Sequence, residues 1–256
     1  MSGLVLRLAG PLQSWGERSA FTPERDTAPF PTRSALIGMF AAAEGIGRED
    51  GGLDRYDDLR LTVRVDRPGV RLTDYHTVGG GLPKARTAAT SGGSNKGAAV
   101  ITRRHYLSDA VFVVAVCGPE PTVTRLATAL RRPHWTPYLG RRSCVPDEPF
   151  VLRYHADDPE QELLTRIPLS RSTPTRGSDN TVAVQFLREH PPSGAPAPSA
   201  DTIDVNDVPV SFSQHARGHG VRRLYRTVEQ LPQDLTGPQH TLLRRLIDYA
   251  QTEDTA

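Results

Sequence analysis

Two kinds of side chain in this sequence could act on a polyanion: bases and cations able to cut it, and aromatics and arginines able to hold it. Cleaving RNA without a metal needs a base to activate the 2′-hydroxyl and a cation to steady the developing charge. Tyr75, His76, Lys84, Lys96 and His105 supply those types. Holding a strand asks for stacking surfaces and phosphate ligands. Arg103, Arg104, His105 and Tyr106 run consecutively, and strand alternation puts Arg104 and Tyr106 on one side, Arg103 and His105 on the other. An Arg beside a Tyr on an open face is a platform for base and phosphate. Arginines at such a place also serve as solvated edge charges that discourage aggregation. Arg141-Arg142, behind Tyr138-Leu139-Gly140, makes a compact basic turn.

Two further groups lie near the start of the chain. Gln13-Ser14-Trp15 follows an apolar run and a Gly-Pro break, which puts Trp15 at a sheet edge. There it could stack a nucleobase, worth about 1–3 kcal/mol, or pack in the core as tryptophans beside strands do. Pro31-Thr32-Arg33-Ser34 opens a helix whose first N–H groups lack intrahelical partners. Such an end, with Arg33 beside it, can bind phosphate. Most helix starts bind nothing. His215 and His219 have the helical spacing of metal ligands, but the glycines of HARGHG disfavour helix and no third ligand is near. The expectation is no metal and no cofactor. Neither a Walker loop nor a Gly-x-Ser-x-Gly elbow is present.

Charge sharpens this reading. The 256 residues carry a formal net charge of only +2, yet the signs are segregated. No acid occurs from Tyr75 to Ser108, where Lys84, Arg86, Lys96, Arg103 and Arg104 lie, nor from Pro121 to Pro146, where Arg125, Arg131, Arg132, Arg141 and Arg142 lie. Acids gather at Glu49–Asp58 and Asp157–Glu162. A near-neutral total thus conceals the footprint of a face that meets phosphate. Cys117 and Cys144 form no C-x-x-C pair, which excludes a disulfide scaffold or a cysteine zinc site. No apolar run is long enough for a signal peptide or a membrane span, so a cytoplasmic protein with no membrane partner is expected.

The elements that must position these groups read as α+β. Leu4–Ala9 is a strand ended by Gly10-Pro11. A helix follows Pro31, capped by Thr32 or Ser34, with Leu36, Ile37, Met39 and Phe40 at helical spacing through Ile46. Leu61–Val65 alternates as a half-exposed strand, Ala110–Cys117 is a buried strand, and a helix runs from about Thr122 to Arg131 before Pro133. With a last strand near Phe150–Arg153, the order is a ferredoxin-like (RRM-like) βαββαβ core. Residues 1–155 form this core, and Val78–Thr102 is a glycine-rich, basic insertion unable to pack on itself. Residues 156–256 form a small β-rich lobe with strands at Val208–Ser213 and Val221–Val228, an exposed linker at Pro191–Ala200, and an amphipathic helix at Gln239–Ala250.

Five stretches in register resemble one family: LVLRLAGPLQSWG from Leu4, FPTRSALIGMFAAAEGIGR from Phe30, DYHT at Asp74–Thr77, RRHYLSDAVFVVAV at Arg103–Val116, and PYLGRRSCVP at Pro137–Pro146. They are similar to the CasD family, the subunit of type I-E CRISPR Cascade that binds the 5′ handle of crRNA. The resemblance implies a non-catalytic RNA-binding role, with the insertion as a hairpin thumb. The implied partners are crRNA, the adjacent backbone subunit and the large PAM-recognising subunit, with target DNA met only indirectly. It favours RNA contact for Gln13, Ser14, Trp15, Arg25, Arg33, Ser34, Tyr75, His76, Lys84, Arg86, Lys96, Arg103, Arg104, Tyr106, Arg141 and Arg142. A related type I-C subunit cuts its own repeat with a Tyr, Lys and His set. No residue-by-residue match to that set exists here, so no catalytic residue is expected. An endoribonuclease on the same fold, and a scaffold whose basic loops bind an acidic protein, are the alternatives.

Overall fold

The computed structural model describes residues 2–16, 23–79, 83, 86–87, 99–173, 180–191, 201–213 and 216–252. The first strand, β1 (Gly3–Ala9), is buried along its whole length. Two two-residue strands follow, β2 (Leu12–Gln13) and β3 (Glu24–Arg25), then helix α1 (Arg33–Ala43). Thr32 caps α1, its hydroxyl accepting from Ala35 N. Leu36, Ile37 and Phe40 of α1 pack with Leu4, Leu6 and Leu8 of β1. Each such side chain, fully buried, contributes about 1.5–3 kcal/mol. Gly38 leaves room for the Phe212 ring, which would lie 3.6 Å from a Cβ at that position.

After α1 come β4 (Arg60–Arg67), β5 (Val70–Val78), β6 (Val100–Ser108), β7 (Val111–Cys117), α2 (Glu120–Arg131), β8 (Val151–Ala156) and α3 (Pro159–Thr165). The chain closes with β9 (Thr181–Arg188), β10 (Asp201–Ser211), β11 (Gly218–Pro232) and α4 (Gln239–Gln251). The fold is mixed α/β. Among the described residues the main sheet has seven strands in the order β10-β11-β9-β4-β7-β1-β8, with every neighbouring pair antiparallel. Leu126 and Leu130 of α2 join α1 on one face, whereas α3 and α4 cover the other with Leu163, Leu242 and Leu246. The C-terminal strands extend the same sheet through β9, which pairs with β4. Both cysteines are free and buried.

Three expectations from the sequence change here. The strand at Leu61–Val65 is not half-exposed: β4 is buried from Leu61 to Asp66 because β9 pairs on its outer side and α3 covers its polar face. That polar face is held by Arg64, fully buried, whose guanidinium donates to Asp66, to Leu163 O and Ile167 O at 2.7 and 3.0 Å, and to Pro168 O. The insertion is also longer than Val78–Thr102. β5 and β6 pair antiparallel from Val70↔Ser108 to Val78↔Val100 as a ribbon, and β6 also pairs with β2 and β3 to make a second, four-stranded sheet. Arg103–Tyr106, which the sequence pattern places at the entry of the buried strand, therefore belong to the separate strand β6. The chain turns at Asp109, whose φ of 58° an Asp tolerates better than most residues, and only then begins β7. On α4, where the sequence pattern puts Leu242, Leu243, Leu246 and Ile247 on one side, Leu242 and Leu246 are buried but Leu243 and Ile247 are exposed, because the packed stripe continues to Tyr249.

The start of α1 is tied to the last strands by buried charge. Arg33 N donates to Asp207 Oδ2 at 2.7 Å, and the Arg33 guanidinium holds both oxygens of Glu189 and the carbonyls of Leu59 and Tyr56. Arg222 grips the same Asp207 and Glu189, and Leu61 N donates to Glu189 Oε2. Removing one partner of such a buried set leaves opposed charge in low dielectric, at a cost of about 3–5 kcal/mol. Glu189→Ala is therefore expected to lower unfolding stability by about that amount, measured by urea titration. Arg223→Ala, which loses an exposed pair with Asp204, should leave the unfolding midpoint close to that of the parent protein.

Candidate nucleic-acid interface

The ribbon places the proposed contact residues on two faces. Tyr75 lies opposite Arg103, and Glu24 of β3 flanks Arg103 on the other side. One residue further, His76 lies opposite Thr102; Asp74, opposite Arg104, shares its face. Side chains alternate along a strand, so Tyr75 and Arg103 share one face, and His76 and Arg104 the reverse. Tyr75 is 61% exposed and Arg103 is exposed beside it. Arg104 is half-buried, its Nε 3.4 Å from Thr102 Oγ1. His76 Nδ1 sits 3.6 Å from Asp74 Oδ2.

His105 is buried, one ring nitrogen 3.0 Å from Thr73 Oγ1 and the other 2.8 Å from Glu24 Oε1. The hydrogen bond from His105 holds the Glu24 carboxyl below its ordinary range. This link clips β3 onto β6. Tyr106 differs from the open platform expected of it. It is 7% exposed, its ring capped by the Arg141 guanidinium 4.5 Å away, and Arg141 also donates to Arg25 O at 3.2 Å. Arg142, one residue on, is exposed.

Gln13 lies on β2, an end strand of the second sheet, but the triplet is not open to a ligand there. All three are buried, because the Gly10-Pro11 break turns the chain back beneath the join of the two sheets. Buried polar groups must be bonded, and these are. Gln13 Nε2 donates to Leu8 O and Ala110 O at 2.9 Å each and its Oε1 accepts from Trp15 Nε1; Ser14 Oγ donates to His105 O. Leu139 O accepts from Ser14 N. Gly140, at φ +84°, passes so close that a Cβ there would fall 1.7 Å from Ser14 O. Only glycine fits. The triplet is thus a knot joining β1, β6 and the loop that carries Arg141.

Arg33 is likewise directed inward, its helix end filled by Asp207 and its guanidinium by Glu189. An internal carboxylate takes the place that a phosphate was expected to take. Ser34 is half-buried with its Oγ 3.4 Å from Thr32 Oγ1, and Arg86 is exposed. Lys84, Lys96, His215 and most of the Pro191–Ala200 linker lie outside the described residues. Among the described residues no three His, Cys, Asp or Glu side chains could hold a metal ion, and no helix is long and apolar enough to cross a membrane. One exposed aromatic went unnoticed in the sequence. Trp135 is 47% exposed, and the signal for it was there: a tryptophan between Pro133 and Pro137 in an acid-free stretch.

A family model described as CRISPR-associated protein (Cas_Cas5) matches residues 3–225. The CRISPR system Cascade subunit CasD of Escherichia coli (strain K12) is 40% identical over 184 residues, covering 66% of this chain and 78% of that protein. A chain of a solved CRISPR RNA-guided surveillance complex superposes with a TM-score of 0.86 at 46% identity, over 97% of this chain and 99% of that one. A crystal structure of a Cas protein gives 0.60 at 29% identity, over 92% and 97%.

The two arginines of the basic turn have different surroundings, which predicts different consequences. Arg141→Ala removes the cap on Tyr106 and the bond to Arg25 O, and should raise amide exchange across residues 137–144 and β3. Arg142→Ala should leave that exchange pattern unchanged.

Proposed function

This chain belongs to the CRISPR-associated protein (Cas_Cas5) family, and we propose that it is the non-catalytic RNA-binding subunit of a type I-E interference complex. In that role it grips the 5′ handle of crRNA and caps one end of the backbone. Its partners would be the adjacent backbone subunit and the large PAM-recognising subunit, in the cytoplasm, with target DNA met indirectly. The similarity to CasD and to a surveillance-complex chain supports the assembly. The four strands β8-β1-β7-β4, with α1 and α2 in the crossovers, support a ferredoxin-like βαββαβ unit at its centre.

The observation that carries the proposal is the register of the ribbon. Tyr75↔Arg103 puts a stacking ring and a phosphate ligand side by side on one exposed face, the pairing by which single strands are held. The same register separates the groups that cleavage would need together. His76 is on the reverse face from Tyr75, and both nitrogens of His105 are engaged, by Thr73 and Glu24. A general base must reach the proton it takes. This arrangement favours holding over cutting.

The test uses purified protein, repeat RNA carrying the handle, and chelator. The expected outcome is retention of intact RNA, with Tyr75→Ala weakening it by about 1–3 kcal/mol and Arg103→Ala flattening its salt dependence through lost counterion release. Metal-free cleavage that disappears in His76→Ala would establish the endoribonuclease instead.

A further inference from the structure

The chain has two tryptophans, and the fold treats them oppositely. Trp15 is fully buried and bonded to Gln13, whereas Trp135 presents nearly half its surface to solvent. A large exposed aromatic is costly to leave in water unless something covers it. Its presentation is also built. His134 N and Trp135 N donate to Ala43 O and Ala42 O at 2.9 and 3.2 Å, capping the carbonyl end of α1. The His134 ring packs edge-on against the indole with centroids 4.6 Å apart and planes at 89°. Gly45 permits this, since a Cβ there would stand 3.1 Å from His134 Cγ at a φ of +78°. Pro133 and Pro137 stiffen the backbone on either side.

The charge of the segment that carries the indole suits a polyanion. Pro121–Pro146 contains no acid, and Arg132 and Arg142 are exposed on it. Glu44, at the end of α1, is taken up by Arg125 at 2.6 Å and by the Tyr56 hydroxyl at 2.5 Å. The carbonyls that would make a helix C-terminus repel phosphate are covered by the two N–H groups. The same segment runs on to Arg141, which contacts Arg25 and Tyr106 beside the ribbon.

We infer that Trp135 is a second stacking platform for an unpaired base of a single-stranded nucleic acid, set apart from the Tyr75–Arg103 face, with Arg132 and Arg142 on the flanking phosphates. This rests on the proposed RNA-binding role and adds to it a position that role did not assign. The acid-free segment that carries Trp135 runs on to Arg141, which meets the ribbon at Tyr106, on the face that Arg104 shares.

The test reads Trp135 directly, because Trp15 is shielded and serves as the constant background. Titrating the protein with single-stranded handle RNA, the same sequence as single-stranded DNA, and its RNA duplex should quench fluorescence for the single strands only. Quenching by RNA alone assigns the base to the guide; equal quenching by DNA assigns the platform to any single strand. Trp135→Ala should weaken single-strand retention roughly 5- to 150-fold, with an unchanged melting temperature, and Trp135→Phe should restore most of it. If Tyr75→Ala weakens retention while Trp135 is neither quenched nor needed, the inference is overturned and the RNA-binding role stands. If neither variant matters and nothing quenches, both fall. Normal RNA affinity with lost assembly onto a neighbouring subunit in Trp135→Ala would make the indole a protein contact and overturn the inference. Should Trp135→Ala not fold, wild-type quenching and the Phe variant decide alone.

Discussion

The structure depends on an alternation of buried charges, Arg33, Glu189, Arg222 and Asp207, at the point where the first helix meets the last strands. Glu189 sits between two guanidiniums, and Asp207 accepts from the backbone at the start of α1 and from Arg222. Neither carboxylate could be buried without those partners, and neither arginine could be buried without the carboxylates. Because the set spans α1, β4, β10 and β11, it fixes the angle of α1 on the sheet. That angle carries to the other end of the helix, where Ala42 and Ala43 receive the loop bearing Trp135. A charge network far from any exposed contact residue thus positions one.

The opposite face of the sheet uses the same device in another geometry. Arg64 and Asp66 point from β4 into a layer formed by Leu163, Ile167, Pro168 and Ser170, and Arg64's donors are all met by carboxylate or carbonyl oxygens. Helices cover both faces of the sheet around β4, β7 and β1, while the β10–β11 end is exposed at Val210, Val221 and Val228; outside the covered part stand the β5–β6 ribbon, the basic turn and the Trp135 loop. The ribbon has little apolar packing of its own, since Val70, Leu72, Tyr75 and Ile101 are all exposed. It is held at its base by Gln13, Ser14 and the Glu24–His105 link. A rigid core with a lightly anchored extension is the division of labour expected of a subunit that clasps a strand and a neighbour.

What could be read in the sequence follows from how local the governing interactions are. The continuous apolar run of β7, the cap at Thr32 and the stop at Pro133 are written within a few residues, and the elements they mark are present. The ribbon was read only in part, because β5 and β6 are exposed and lack an apolar alternation; their pairing is visible only through register. β9 was missed between two low-complexity stretches. The inward turn of Arg33 was not legible, since its partner Glu189 is 156 positions away. The burial of Gln13-Ser14-Trp15 depends on where Gly140 lands. The polar character of these residues suggested contact with a ligand, and long-range packing used it inside the protein instead. Conversely, Tyr75 beside Arg103 emerged only once strand pairing was known.

In the proposed role a single RNA strand lies along the ribbon and the basic turn and leaves the main sheet uncontacted. Ultraviolet cross-linking of the protein–RNA complex, with the adducts mapped by mass spectrometry, tests this directly. Adducts are expected on peptides spanning residues 70–78, 100–108 and 133–142. Adducts confined to the β10–β11 hairpin or to α4 would contradict it.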